Sequence, residues 1–356
     1  MDIKGKVVEK INEISRVVKE SEAYARFTNA MHNDEYRTTK EKILERIEAY
    51  DKIIILRHTR PDGDAIGSAL GLREVLRNKY KDKEIYAFGE EIPAYLKFVG
   101  SQDTLDDSKF EGALVIVVDT ATKNRISYDK TALAKEVIKI DHHIPVEDYG
   151  TLNLVKENYG SCSLVLTDFF LSMNLEITKE AARYLYIAVV TDTGRFKFKE
   201  TDATALSLSA CLLEKGIDTE SIYANLYTKD KNLLKLQGYV YKHINYTKNG
   251  VAWLYMPKSV MKKYKVTVED ASNCVNLLDS IKGSMIWMEF IEHDSEIRIR
   301  FRSRFVGVVK IAEKYNGGGH ECAAGGTIYK KSDIKKVLED ADLILAAYKK
   351  VNNDKF

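Results

Sequence analysis

"IIILRHTRPDGDAIGSALGLREVLRNKY", residues 53–80, passes from four apolar residues through a polar cluster into a run of helical character. Ile53 to Leu56 read as a strand buried on both faces, the kind that fills a parallel sheet. His58, Asp62 and Asp64 follow at once. In open α/β sheets ligands bind beyond the carboxyl ends of strands, so polar residues here are candidates for a site.

Working outward, the short runs "IYAF", "ALVIVV" and "EVIKI" alternate with helix-like stretches. This predicts an α/β fold, with an N-terminal parallel sheet covered by helices on both faces. Asp119 follows "LVIVV", Asp141, His142 and His143 follow "VIKI", and Asp192 follows the helix-like "AARYLYIAVV". Beyond about Lys215 a long helical stretch leads to "GVAWLYM", "SMIWMEFI" and "EIRIRFRSR", which alternate with period two as strands do. A smaller C-terminal α+β domain is expected, closed by the helix "KVLEDADLILAAYKK". Val7, Ile11, Ile14 and Val18 recur at helical spacing. The expected organisation is a helical extension over 1–36, a first domain over 37–215, a helical linker over 216–240 and a second domain over 241–348.

Composition narrows the function. The 356 residues carry 55 basic and 53 acidic side chains, a net charge of +2, so no global field attracts long nucleic acid and an anionic ligand must be handled locally. No stretch approaches the ~20 apolar residues of a membrane span. The four cysteines, Cys162, Cys211, Cys274 and Cys322, show no paired spacing. A cytoplasmic protein without a membrane or an obligatory protein partner is expected; a homodimer is left open.

Asp62 and Asp64 carry like charges two positions apart, and a divalent cation removes their repulsion. With His58, Asp119, Asp141, His142, His143 and Asp192 they form a set of carboxylates and imidazoles without thiolate. Such a set suits manganese or magnesium better than structural zinc, and has ligands enough for two ions bridged by one aspartate. A single aspartate after a strand is ordinarily a helix cap or turn residue. Four clusters at four element ends would each need a separate structural reason. Gly63 and Gly67 read as loop glycines bringing backbone close to the ligand, and Ser68 as the start of the following helix.

"HTRPDGDAIGS", "VVDTA", "DHH" and "TDTG", in that order, resemble the motifs of the DHH phosphoesterases, and "GGGH" at 317–320 resembles the signature of the DHHA1 domain. The resemblance spans about residues 50–350. It implies that residues 37–215 are a DHH catalytic domain and 241–348 a DHHA1 substrate-binding domain. By position, His58, Asp62 and Asp119 would hold one ion, and Asp64, Asp119, His142 and Asp192 the other. Asp119 would bridge two manganese ions, with magnesium as the alternative. Asp141 would support the histidines from behind, and His143 would face the substrate phosphate. Paired cations would lower the pKa of a shared water and clamp phosphoryl oxygens.

For the substrate, the resemblance points to Arg302, Ser303 and Arg304, and to Gly317, Gly318, Gly319 and His320, whose glycine-rich run can offer consecutive N–H groups to an anion. Arg298 and Arg300 read as a solvated sheet face with ion pairs. His32, His243 and His293 lie outside every motif, and Phe196 and Phe198 read as packing beneath the metal site. The expected substrate is short RNA or 3'-phosphoadenosine 5'-phosphate. Cyclic or linear dinucleotides are the alternative, and a non-catalytic nucleotide- or RNA-binding regulator is the further one.

Overall fold

The computed structural model describes residues 36–352; most of the expected N-terminal extension, including His32, lies outside the described residues. The chain divides after Tyr227 into two units. The stretch expected as a linker is two helices, Thr219–Tyr227 in the first unit and Lys231–Lys242 in the second, interrupted at residues 228–230.

In the first unit five parallel strands, β1 (Lys52–Leu56), β2 (Glu84–Ala87), β3 (Leu114–Val118), β4 (Glu136–Asp141) and β5 (Leu152–Val155), run in the order 2-1-3-4-5. The chain reverses its direction of travel between β1 and β3, the switch point where a crevice opens at the carboxyl edge of such sheets. The α/β class is as expected. One sheet face, including Ile53, Ile55, Ile116 and Ile140, packs against α1 (Arg37–Ala49), α2 (Gly63–Lys79), α3 (Cys162–Ser172) and α4 (Lys179–Asp192). Among the described residues the other face, with Ile54, Leu56, Val115 and Val117, is covered by Phe110, Ile126 and Tyr128 from single-turn 3-10 helices and their flanks, where full α-helices were expected.

Helix α2 starts five residues earlier than Ser68. Asp62 is its N-cap, its Oδ1 accepting from the Asp64 and Ala65 amides at 3.0 and 3.1 Å. Gly63 and Gly67 are therefore helical residues, and with Gly71 they form a stripe at four-residue spacing against α4. A Cβ on Gly67 would lie 2.4 Å from the Tyr184 carbonyl oxygen; one on Gly63 would meet Thr191 and one on Gly71 would meet Leu185. The missing side chains let α2 and α4 pack at close range, which places Asp64 on one helix near Asp192 at the end of the other. Three left-handed residues, Gly194, Arg195 and Phe196, then turn the chain away from α4. Phe196 packs on the core. Phe198 is 54% exposed, against the expectation that it lies buried.

The second unit is a six-stranded mixed sheet, ordered β10-β11-β9-β8-β7-β6, from β6 (Asn245–Tyr246), β7 (Ala252–Met256), β8 (Ile286–Glu292), β9 (Ile297–Ser303), β10 (Gly318–His320) and β11 (Ala323–Ile328). Burial alternates strictly along most of β9, whereas β8 is buried on both faces by two separate apolar clusters. The final helix, α5 (Ile334–Asn352), packs on one of them.

The glycine stripe is testable. Gly67→Val should lower stability by about 1–3 kcal/mol, or Tm by about 2–12 °C, because the obstructing atom is backbone and cannot yield. An unchanged thermal melt would contradict close α2–α4 packing.

Candidate metal centre

Each ligand candidate is delivered by the end of an element. His58 follows β1, Asp119 follows β3, His142 follows β4, Asp62 and Asp64 open α2, and Asp192 closes α4. Asp119 adopts the left-handed conformation (φ 50°), which turns its side chain out of the strand line. Its two oxygens face different histidines: Oδ2 lies 3.4 Å from His58 Nε2 and Oδ1 lies 3.4 Å from His142 Nε2.

The remaining donors gather on these two sides. His58 Nε2 is 3.7 Å from Asp62 Oδ2, while His142 Nε2 is 3.3 Å from Asp192 Oδ2 and 3.7 Å from Asp64 Oδ2. Ligand atoms of His58, Asp62 and Asp119 lie within 4.8 Å of one another, as do those of Asp64, His142 and Asp192. Both ring orientations are fixed from behind: Nδ1–H of His58 donates to the Thr59 carbonyl at 2.9 Å, and that of His142 to the Tyr159 carbonyl at 3.0 Å. A carbonyl can only accept, so the Nδ1 proton is set and Nε2 is the atom turned to the centre.

Asp64 is held by groups to which the sequence reading gave no such role. Its Oδ2 accepts from the Cys162 amide at 2.6 Å, and its Oδ1 from the Ser163 amide at 3.1 Å and the Ser68 hydroxyl at 3.0 Å. The two amides are the free N–H groups at the start of α3. Ser161, the N-cap of α3, stands ahead of an apolar run, a local signal for a helix start that does not tell which carboxylate the exposed amides meet.

Asp141 lies behind the histidines. Its Oδ1 accepts from the His142 and His143 amides at 2.9 and 3.3 Å and from His143 Nδ1 at 2.7 Å. Burial alone would raise this carboxyl, but His143, Lys139 and His142 outweigh it and hold it at about 2. Lys139, also missed, is fully buried. Its ammonium lies 3.4 Å from Asp141 Oδ2 and donates to the Ala121 and Glu147 carbonyls at 2.9 and 3.1 Å.

The donor set fits divalent cations. Buried Asp119 Oδ1 has no hydrogen-bond donor. Burial and the neighbouring carboxylates push Asp64 up to about 7 and Asp192 to about 8. Burial works against the charge on His58 and His142, yet their carboxylate neighbours, Asp119 foremost, raise both to about 10. Oxygen and imidazole donors without thiolate match manganese or magnesium chemistry.

The substrate candidates are on the second unit. Arg302 is paired with Trp287 on β8 and Ala323 on β11, and its Nη1 donates to the Phe301 carbonyl at 2.9 Å. The Ser303 hydroxyl donates to the Val306 carbonyl, and Arg304 donates to the Asp279 carbonyl with its guanidinium 5.5 Å from the Trp287 ring centre. Gly318, Gly319 and His320, part of the run expected to offer consecutive N–H groups to an anion, are strand β10 at an edge of the sheet. Gly317 precedes it, and a Cβ there would lie 1.8 Å from the Gly325 carbonyl oxygen. The register sets His320 in line with Ala323 and Arg302. Exposed Arg298 pairs with Glu296 at 2.8 Å.

Residues 52–189 match the N-terminal domain of the DHH family and residues 249–347 the DHHA1 domain. The bifunctional oligoribonuclease and PAP phosphatase NrnA of Bacillus subtilis is 36% identical over 86% of this chain and 98% of its own. The protein of the same description from Mycoplasma genitalium is 35% identical over 83% and 95%. A crystal structure of an exopolyphosphatase-related protein from Bacteroides fragilis superposes with a TM-score of 0.79 at 29% identity, covering 87% of this chain and 98% of that one. No helix among the described residues is long and apolar enough to cross a membrane.

The raised groups give a pH prediction. Asp64, Asp192, His58 and His142 have folded pKa values above their unfolded ones, so the stability their protons contribute is complete at low pH and lost as pH rises through about 7, 8 and 10. A bound cation displaces those protons. The Tm gain from manganese over chelator should be larger at pH 8 than at pH 5.5; an equal gain would place the cation elsewhere.

Proposed function

Because this chain belongs to the DHH family, we propose that it is a divalent-metal phosphoesterase that hydrolyses short oligoribonucleotides and 3'-phosphoadenosine 5'-phosphate. The observation that carries this is the gathering of five other ligand side chains around Asp119, whose two oxygens face two separate groups of donors. His58, Asp62 and Asp119 would hold one ion and Asp64, Asp119, His142 and Asp192 the other, with manganese the favoured metal. When bound, such ions supply Lewis acidity that eases deprotonation of water and neutralises phosphoryl charge.

The chain's own residues do the rest. Asp141 is kept ionised and grips the His143 Nδ1 proton, which favours the imidazolium form, whose second N–H at Nε2 of a ring that is 37% exposed would donate to a phosphoryl oxygen. Lys139 and the two backbone amides fix Asp141, so the imidazole is aimed before substrate arrives. In the second unit Arg302, Ser303, Arg304, Gly317, Gly318, Gly319 and His320 are the recognition set. Guanidiniums suit phosphates through paired hydrogen bonds. Residues 37–215 serve as the catalytic domain and 241–348 as the substrate-binding one. A near-neutral net charge suits short polyanions over long strands.

The test is hydrolysis of RNAs of two to five nucleotides and of 3'-phosphoadenosine 5'-phosphate in manganese. Mononucleotide release is expected. Asp119→Ala should lose at least ~10³-fold in kcat, since it removes a ligand shared by both sides of the centre. His143→Ala should lose about 10²–10³-fold with cation binding retained. Tight nucleotide binding without turnover would overturn the proposal.

A further inference from the structure

The second unit also carries an open groove of about 1060 Å³ that the proposed hydrolysis does not use. Trp253 and Tyr255 of β7 line it, together with Tyr239 and His243, whose rings stack at 3.9 Å. The register separates it from the recognition set. Trp253, Met288 and Phe301 form one row across β7, β8 and β9, so Arg302, the next residue along, lies on the opposite face. Strand β10 is four strand spacings from β7, about 19 Å away.

Cations frame the aromatic rings. Exposed Lys242, Lys248, Lys331 and Lys335 line the groove, and the Lys331 ammonium sits 4.2 Å over the Tyr255 ring centre. Two acids also line it. Asp342 is committed to the Thr247 hydroxyl and, at 2.9 and 2.7 Å, to the amide and side chain of Asn249. Glu339 lies 3.9 Å from Lys335, so the lysines remain in excess. Ring faces beside solvated ammonium groups are the means by which proteins hold unpaired nucleotides.

We propose that this groove is a second nucleotide site, in which a base stacks on Trp253 and its phosphates meet the surrounding lysines. Its volume lies at the upper end of small-molecule pockets and suits one or two nucleotides. The inference goes beyond the proposed hydrolysis, since it needs no cation and none of the phosphoesterase ligands.

Trp253 and Trp287 are the chain's two tryptophans, so full-length Trp287→Phe protein reports on the groove by fluorescence. In chelator, where hydrolysis is off, 5'-phosphorylated diadenylate should quench Trp253 saturably below about 1 mM, and ribose 5-phosphate should not. Lys242→Glu with Lys335→Glu should weaken the response about tenfold. The same titration on wild-type protein, following the two indole N–H resonances with Trp253→Phe to assign them, removes dependence on the Trp287 variant. A silent Trp253, an equal response to ribose 5-phosphate, or indifference to the lysine changes would overturn the site. The hydrolysis assay is read on wild-type protein in manganese, so either proposal can fail without the other.

Discussion

Four carboxylates that repel one another, buried Asp64 and Asp119, half-buried Asp192 and exposed Asp62, share one corner at the carboxyl edge of the parallel sheet. That repulsion is the constraint the first unit is built to bear. Two of them are restrained by hydrogen-bond donors: Asp62 by the first amides of α2, Asp64 by the first amides of α3 and by Ser68. Asp119 receives neither kind of help on Oδ1, and it stands at the middle of the donor set. Burial and the neighbouring carboxylates raise the pKa of Asp64 and Asp192, and a divalent cation among them would relieve that repulsion.

The candidate ligands stood out because strand ends in an α/β sheet are a readable location, and three apolar runs each give way within two residues to a histidine or an aspartate. What surrounds them was less so. Gly63 and Gly67 look alike whether they loosen a loop or close a helix contact; only the partner helix, with Tyr184, Ala188 and Thr191 at their Cα atoms, decides for the second. Strand β5 escaped because its four residues include Asn153 and give no apolar run. Lys139 looked like one polar residue in "EVIKI". Its side chain is satisfied by carbonyls about 8 and 18 residues away in sequence, which no local pattern encodes.

In the second unit the arginine strand was legible from its period, and "GGGH" from its resemblance. That the glycines form an edge strand was hidden, because glycine-rich sequence ordinarily argues against strand, and here the close approach of Gly317 to the Gly325 carbonyl demands it. The aromatic groove was invisible for a different reason. Trp253 and Tyr255 alternate as core-facing residues should, and the lysines beside them come from sequence some 80 residues further on as well as from nearby. Topology, not composition, makes that surface.

The most direct measurement of the central claim is anomalous diffraction from crystals grown in manganese. The account predicts two manganese peaks per chain, one touching His58, Asp62 and Asp119, the other touching Asp64, Asp119, His142 and Asp192. A single peak, or peaks that leave Asp119 untouched, would contradict it.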